Sequence, residues 1–559
     1  MCGIFLETES NLMSKDLLTI CSMLKHRGPD NETIFVDNQM NTSMVFTRLA
    51  IQDLSVEATQ PFFSSDKQTY ILFNGEVYNK DYLLGLLPHS FKAKSTSDTE
   101  IILNCILHLG IKKTLNQTQG MFSFILMDRR TKTIQVVRDR FGIKPMYYIN
   151  EGKNKFKFSS EIKILANLVD LTLDYEMLRE FAICGLLDHT ENTMFTQIKK
   201  IAPGSIFTIA NGRFFEESWV EKASFTSDLV SPAEVHTKLE ELVKISIKDA
   251  MVSDVPVGIN ISSGIDSNLI RVLAKKEIRD VSLHTVTWGE RQFSEYHVLQ
   301  KYLGHDNNLV VHEFNASQVY DLILDSFKVH DEPYSSPFVA VWPEVYRNIK
   351  AQGTSVILDG TGADELFFGY SKYLSHTFTD YSLRALDGVK IGLDFKSKFD
   401  YNPLNIVQAN DYDTFNIKLP RSLRFLDSSS MSASVEVRPV FLTNALYELS
   451  RAIPINLMLT NNITKYPLRI LLSKIETKFP AFLPKKDIQE PSFKWLTQDW
   501  REEIVKQIRN IDSLLDLIPH ASEKASLLNV KDNFCTNTGT QNIPTIWRIF
   551  NINLWLNSK

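Results

Sequence analysis

Along the first two hundred residues, apolar positions come in short alternating or continuous runs, at 43–51, 69–73, 122–127, 133–137 and 205–209. Runs of that length, rich in Val, Ile, Phe and Tyr, predict strands. Asn74-Gly75, Pro203-Gly204 and Asn211-Gly212 punctuate them as turn signals, so residues 1–212 are expected to form a mostly antiparallel, layered domain. From 213 to 230 the periodicity lapses into mixed charge and Ser/Thr, the pattern of a linker.

The period then changes. Ser231-Pro232 supplies an N-cap and a first-turn proline, and Val235, Leu239, Leu242, Val243, Ile247 and Ala250 recur at helical spacing. Further strands are expected at 255–261, 283–288 and 355–359, with an apolar helix from about Asn268 after the first. That alternation predicts a second domain, 231–559, with a parallel sheet wrapped by helices. Beyond Ser434 helical patterns dominate, without internal repeats.

A length of 559 residues exceeds one ordinary core and suits two catalytic domains. With 43% hydrophobic and 23% charged residues the chain falls in the soluble globular class. A net charge of -5 gives no basic field for nucleic acid or anionic membrane, so neither is expected as a partner. The five cysteines are scattered, without a Cys-x-x-Cys pair, which favours a reducing compartment. The N-terminus lacks the pattern of a signal peptide and no apolar run spans a bilayer, so a cytoplasmic location is expected.

Cys2 follows the initiator methionine. Removal of Met1 would free an α-amine able to act as general base for the thiol, with a pKa near neutrality where such a base works best. Alone, an early cysteine is unremarkable, Asn74-Gly75 reads as a hairpin turn, and Arg48, Glu76 and Asp98 read as surface charges. They do not occur alone. Met1-Cys2-Gly3-Ile4, His26-Arg27-Gly28-Pro29-Asp30, Arg48-Leu49-Ala50-Ile51, Phe73-Asn74-Gly75-Glu76, Ser97-Asp98-Thr99-Glu100 and the segment from Arg138 to Pro145 resemble, in order and spacing, the class II glutamine amidotransferases. The resemblance implies an Ntn-hydrolase-like αββα fold in which Cys2 attacks the glutamine amide, forms a thioester and releases ammonia. It further implies that Asn74 and Gly75 form the oxyanion hole and that Arg48, Asn74, Glu76 and Asp98 hold glutamine.

Ser262-Ser263-Gly264-Ile265-Asp266-Ser267 sits between an expected strand and helix, where backbone N–H groups and the helix dipole favour phosphate. It lacks the Lys-Ser/Thr of a Walker loop. It resembles the PP-loop of ATP pyrophosphatases. The run from Asp359 to Tyr370, with Asp331-Glu332-Pro333 and the segment from Ser430 to Pro439, resembles the asparagine-synthetase domain. By that resemblance Ser262, Ser263, Gly264, Asp266, Ser267 and Gly362 contact ATP, and Asp266 and Asp364 hold Mg2+ through hard oxygen ligands. Glu365 would take a proton as ammonia attacks an acyl-adenylate, while Lys465, and secondarily Lys486, would offset charge on the departing pyrophosphate.

The implied reaction consumes glutamine, ATP and aspartate and yields asparagine, glutamate, AMP and pyrophosphate, with ammonia passing through an internal tunnel. Partners are then small molecules, and a homodimer is compatible with this reading. The chain departs from the family pattern at Ser263 and Phe368, both in place of glycine. It also departs at Ser336 and Thr443-Asn444, in place of aspartate, and at Asp487-Ile488, in place of glycine-phenylalanine. Two alternatives stay open: the same chemistry on a sugar acid, peptide carboxylate or β-amino acid precursor, and a regulatory or binding protein with an inactive second site.

Overall fold

The computed structural model describes residues 1–9, 11–221, 225, 226, 228, 231–278, 280–290, 293–303, 307–374, 406–483, 491–538 and 542–558. Its N-terminal strands are β1 (Cys2–Thr8), β2 (Asn31–Asp37), β3 (Thr42–Arg48), β4 (Phe62–Phe63), β5 (Thr69–Val77) and β6 (Gly120–Asp128). β7 (Thr133–Arg138), β8 (Tyr147–Asn150), β9 (Phe156–Ser159), β10 (Ile198–Lys200), β11 (Ser205–Ala210) and β12 (Arg213–Ser218) follow. They form two antiparallel sheets, β10-β8-β9-β1-β3-β2 and β12-β11-β7-β6-β5-β4.

β1 is buried along its whole length, and the period of two explains how. Ile4 and Leu6 face the second sheet, meeting Tyr70, Leu72, Ile125 and Met127. Phe5 faces the other way, toward Leu17, Ile20 and Leu24 of the helix Ser14–Leu24. Beyond the second sheet, Ile101, Ile102 and Cys105 of the helix Asp98–Leu109 pack on Phe73, Phe122 and Phe124. Helix, sheet, sheet, helix is the layering expected from the motifs.

Two expectations need correction. Asn74-Gly75 is not a turn: it lies inside β5, where Gly75 pairs with Phe122. A Cβ there would overlap Met121 O and Phe122 Cα, so glycine is required by close backbone approach rather than by a hairpin. The stretch read as linker begins too early, because 213–218 is β12, paired with β11 through the two-residue turn Asn211-Gly212. Both turn residues have positive φ, as a tight hairpin of this kind demands. β12 is an edge strand with mostly exposed side chains, so burial never imposed an alternating pattern on it.

In the second domain the helix Pro232–Ala250 precedes β13 (Val257–Asn260), β14 (Ser282–Thr287), β15 (Leu309–Glu313), β16 (Val356–Asp359) and β17 (Glu436–Pro439). All pair in parallel, in the order β15-β14-β13-β16-β17. The helix after β13 spans Ile265–Glu277 and so starts before Asn268. Chain order reverses between β13 and β16, and ligands of such sheets bind beyond the strand ends at that switch. The C-terminal helix Ile543–Asn557 returns to the first domain, where Trp555 packs on Phe195 at 5.7 Å and Trp547 shares a core with Phe181. Among the described residues no helix is long and apolar enough to cross a membrane.

Candidate active sites

Cys2 opens β1 opposite Arg48 of β3 and is 6% exposed. Cys2, Arg48, Gly75, Glu76 and Asp98 line one small pocket. Asn74 stands beside it: its Oδ1 accepts the Cys2 N–H at 2.9 Å, while its buried Nδ2 has no hydrogen-bond partner among the described residues. A fixed, unspent donor next to a thiol is what an oxyanion requires. Burial pushes the Cys2 thiol up, opposed by the neighbouring N-terminal ammonium. Burial also holds Glu76 well above the ordinary carboxylate range, and raises Asp98 although Asp98 accepts the Val77 N–H at 2.8 Å. Arg48 spends part of its fork on Ser55 O at 2.7 Å and on Asp53 O, which fixes the loop over the pocket.

Sequence reasoning missed Gln52, which lines this pocket and donates to Glu76. It also missed what stands behind the pocket. Arg438 of β17 reaches Glu76 at 3.2 Å and Glu436 at 2.6 Å, and Glu436 pairs with the Met1 ammonium at 3.1 Å. The alternation Val435-Glu436-Val437-Arg438 was the available signal: on a buried strand its charged face needs partners of opposite sign. A larger interdomain cavity, about 240 Å³, is bordered by Arg27, Glu161, Asp188, His330, Arg424 and Asp427, none of them an expected site residue.

The second site lies at the switch point. Ser262 N–H donates to Ser267 Oγ at 3.1 Å, Gly264 N–H donates to Ser262 Oγ at 3.1 Å, and Asn268 Nδ2 ties down both Ser262 O and Gly264 O. The loop is therefore braced by its own helix. Ser263 is not among the residues with positive φ, so serine replaces glycine without backbone strain. Its N–H donates to the Glu295 carboxylate at 2.5 Å, which marks the position as one that takes an anion. Gly362 does need to be glycine: its φ is +94° and a Cβ would overlap Leu442.

Asp266 and Asp364 converge on Lys465, whose Nζ lies 2.5 and 2.7 Å from them. Two carboxylates gathered round a cation fit Mg2+ by donor chemistry. Among the described residues no cluster of three or more His, Cys, Asp or Glu is placed to hold a metal by itself, so such an ion would complete its shell with phosphate and water. Glu365 is buried beside this group and accepts the Tyr370 hydroxyl; burial and the Asp364 charge push it up to about 7. Lys486 and Asp487-Ile488 lie outside the described residues.

Two of the other departures have structural explanations. Phe368 takes the left-handed conformation, φ 53°, that suits the family's glycine, and packs fully buried between Phe225 and Tyr373. Thr443 caps the helix Asn444–Ala452, and Asn444 contacts Arg140 at 2.5 Å and Gln119 at 3.0 Å in the first domain. Ser336 precedes the short helix Pro337–Val341.

Comparison with known families bears on the whole chain. The family described as "Glutamine amidotransferase domain" matches residues 1–220, and "Asparagine synthase" matches 238–390 and 402–556. The chain belongs to the asparagine synthase family. As a member it is an enzyme of the glutamine-dependent, asparagine-synthetase type, as the motifs implied. Asparagine synthetase (glutamine-hydrolyzing) 1 of Bacillus subtilis (strain 168) is 26% identical across 95% of this chain and 92% of its own length. A putative asparagine synthetase (glutamine-hydrolyzing) 2 of Methanocaldococcus jannaschii is 26% identical across 67% of this chain and 76% of its own length. A relative with a different name, amidase chry2 of Gibberella zeae, is 24% identical across 67% of this chain and 58% of its own length.

Proposed function

We propose that the chain amidates a carboxylic acid with nitrogen taken from glutamine, activating the acid as an acyl-adenylate. Cys2, freed of Met1, would attack the glutamine amide carbon, and Asn74 with the Gly75 backbone would bind the oxyanion. Arg48 would hold the glutamine α-carboxylate, and Glu76 and Asp98 its α-ammonium. Ammonia leaves and water later frees glutamate from the thioester.

In the second domain the PP-loop residues Ser262, Ser263, Gly264 and Ser267, with Gly362 opposite, would seat the ATP phosphates. Asp266 and Asp364 would hold Mg2+, which neutralises phosphate charge when bound. The acceptor carboxylate displaces pyrophosphate from the α-phosphorus, and Lys465 offsets charge on that leaving group. Ammonia then displaces AMP from the acyl carbon while Glu365, poised near neutrality, takes the proton. The domains share one apolar cluster in which Leu49, Met121 and Ile143 of the first continue into Leu442, Phe441 and Ala363 of the second. That continuity is the observation that carries this reading, because an apolar path between the sites would keep ammonia unprotonated. The same reading places the enzyme in the cytoplasm.

Aspartate is the first acceptor to test. A different carboxylate is the second reading, supported by the name of the Gibberella relative and by the engagement of Asn444 with the first domain. The experiment is pyrophosphate release with ATP, Mg2+ and aspartate, using glutamine or ammonium, for the wild type and C2A. Release with both nitrogen sources, lost only for glutamine in C2A, is expected. Glutaminase activity without pyrophosphate release would reject aspartate.

A further inference from the structure

Glu76 is 3% exposed, yet binding an α-ammonium requires it to be ionised. Its surroundings pull both ways. Burial pushes Glu76 up, Arg438 of β17 opposes that, Asp98 and Glu436 add to it, and the Met1 ammonium opposes again. Arg48 faces the same pocket from the end of β3, and Lys80 donates to Gln52, which donates to Glu76. The Tyr78 ring lies 5.8 Å from the Arg438 guanidinium, and burial holds its hydroxyl far above the ordinary range. Among the described residues Arg438 makes the one ion pair with Glu76, at 3.2 Å. Excision of Met1 would take away the neighbouring ammonium and leave Arg438 facing both Glu76 and Glu436.

Arg438 is fixed in place without any substrate. It is fully buried; Nε takes Glu436 at 2.6 Å, and Nη1 donates to Ala250 O at 2.8 Å and Val252 O at 2.7 Å. All three anchors belong to the second domain. The chain just beyond them turns to the pocket: Asp254 Oδ2 accepts the Asp53 N–H at 2.8 Å, and Asp254 N–H donates to Ile51 O at 2.9 Å, on either side of Gln52. The second domain thus reaches Glu76 twice, by charge through Arg438 and by position through Gln52. Arg438 itself does not line the pocket.

We propose that Arg438 is a positioning residue of the glutamine site: from the second domain it keeps Glu76 charged and oriented for the α-ammonium of glutamine, so docking of the two domains completes the first domain's pocket. This rests on the reading above that Glu76 binds that ammonium. A buried carboxylate beside a second one, Asp98, otherwise takes a proton and offers the ammonium no charge. Three carboxylates, Glu76, Asp98 and Glu436, set against one guanidinium still leave an excess of negative charge, so Arg438 does not repel the substrate it prepares for.

The test is glutamine hydrolysis by the full chain, its Met1 excision confirmed by mass, with KM and kcat followed across about pH 5 to 9. R438Q should raise the glutamine KM about ten- to a hundredfold near neutrality with kcat little changed, and R438K should recover part of the loss. The pH profile separates charge from mere support. Glu76 binds when ionised, so KM rises as pH falls through its folded pKa; removing the opposing cation should move that rise upward by about 1 to 3 pH units. E436Q removes a carboxylate that disfavours ionisation, so its rise should move downward. General loosening of the interface would move both variants alike, and lost support of Gln52 would raise KM equally at every pH. Where R438Q does not fold, R438K and E436Q decide. A pH profile unmoved in these variants, or moved the same way by changes at 438 and 436, would overturn the proposal. E76Q tests the reading beneath it: a raised, pH-independent KM would uphold that reading even where Arg438 fails, and an unchanged KM would overturn both.

Discussion

The N-terminal ammonium of Met1 and the carboxylate of Glu436 lie 3.1 Å apart, both fully buried, across 435 positions of sequence. Arg438 extends the contact to Glu76 in the wall of the Cys2 pocket. Burial alone would raise the Glu436 pKa, but the ammonium and Arg438 outweigh it and hold the group at about 2. The start of β1 in the first domain and the last strand of the second domain's sheet therefore meet through a charge chain that water does not reach.

Removing one member of such a chain strands the others. E436Q leaves Arg438 facing Glu76 without its second carboxylate, and about 3 kcal/mol of stability should be lost. Denaturant unfolding of wild type and E436Q measures it. A difference under about 0.5 kcal/mol, the range of an ordinary surface change, would show that the domains do not depend on this contact.

Asn74 uses its oxygen on the Cys2 backbone and keeps its amide hydrogens for something else. N74A should lower kcat for glutamine hydrolysis about 100- to 1,000-fold, the loss that follows removal of one oxyanion donor. Ammonium-dependent turnover should persist. Equal loss of both activities would point to a folding defect instead.

Gly369 has no room for a side chain: a Cβ would overlap Asp364 Oδ1 and Lys465 Cε. G369A should therefore push apart the three groups that converge between PP-loop and strand end, and abolish pyrophosphate release at least 100-fold. Glutaminase activity is the internal control. Undiminished release in G369A would mean that Asp364 and Lys465 do not need this geometry.

The layers, the antiparallel and parallel sheets and the two candidate sites were legible because each has a period or a spaced motif. Cys2, Asn74 and Glu76 are near in sequence to recognisable glycines and strands, and Asp266 and Asp364 each follow a strand end. Glu436 and Arg438 were not legible as a site, because their meaning depends on Met1 and Glu76, residues hundreds of positions away. β12 escaped because an exposed edge strand need not alternate.

Phe368 sets two effects against each other. Its left-handed backbone costs about 1–2 kcal/mol for a residue with a Cβ. Its ring, fully buried against Phe225 at 5.9 Å and Tyr373 at 5.3 Å, contributes more, since emptying a phenylalanine site costs about 3–5 kcal/mol. F368G should accordingly be destabilised by about 2 kcal/mol in denaturant unfolding despite restoring the family's glycine. A stabilised variant would mean that strain, not packing, dominates.

Asp188 supplies an acid-sensitive contact between domains. It joins Lys200 of its own domain at 3.1 Å to Arg424 of the other at 2.6 Å. Burial would raise its pKa, but Arg424 and Lys200 prevail and bring it from 3.8 to about 2. A depressed carboxylate stabilises the fold above its unfolded pKa and loses that contribution as pH falls through the folded one. The window here is pH 4 to about 2, and the contribution at neutral pH is about 2 kcal/mol. D188N should be less stable than wild type at pH 6, and the gap should close as pH falls toward 2. Asparagine also tolerates the positive φ of this position, so backbone strain does not confuse the comparison. Urea unfolding of both proteins across that range measures the gap; parallel curves would remove Asp188 as a source of acid sensitivity.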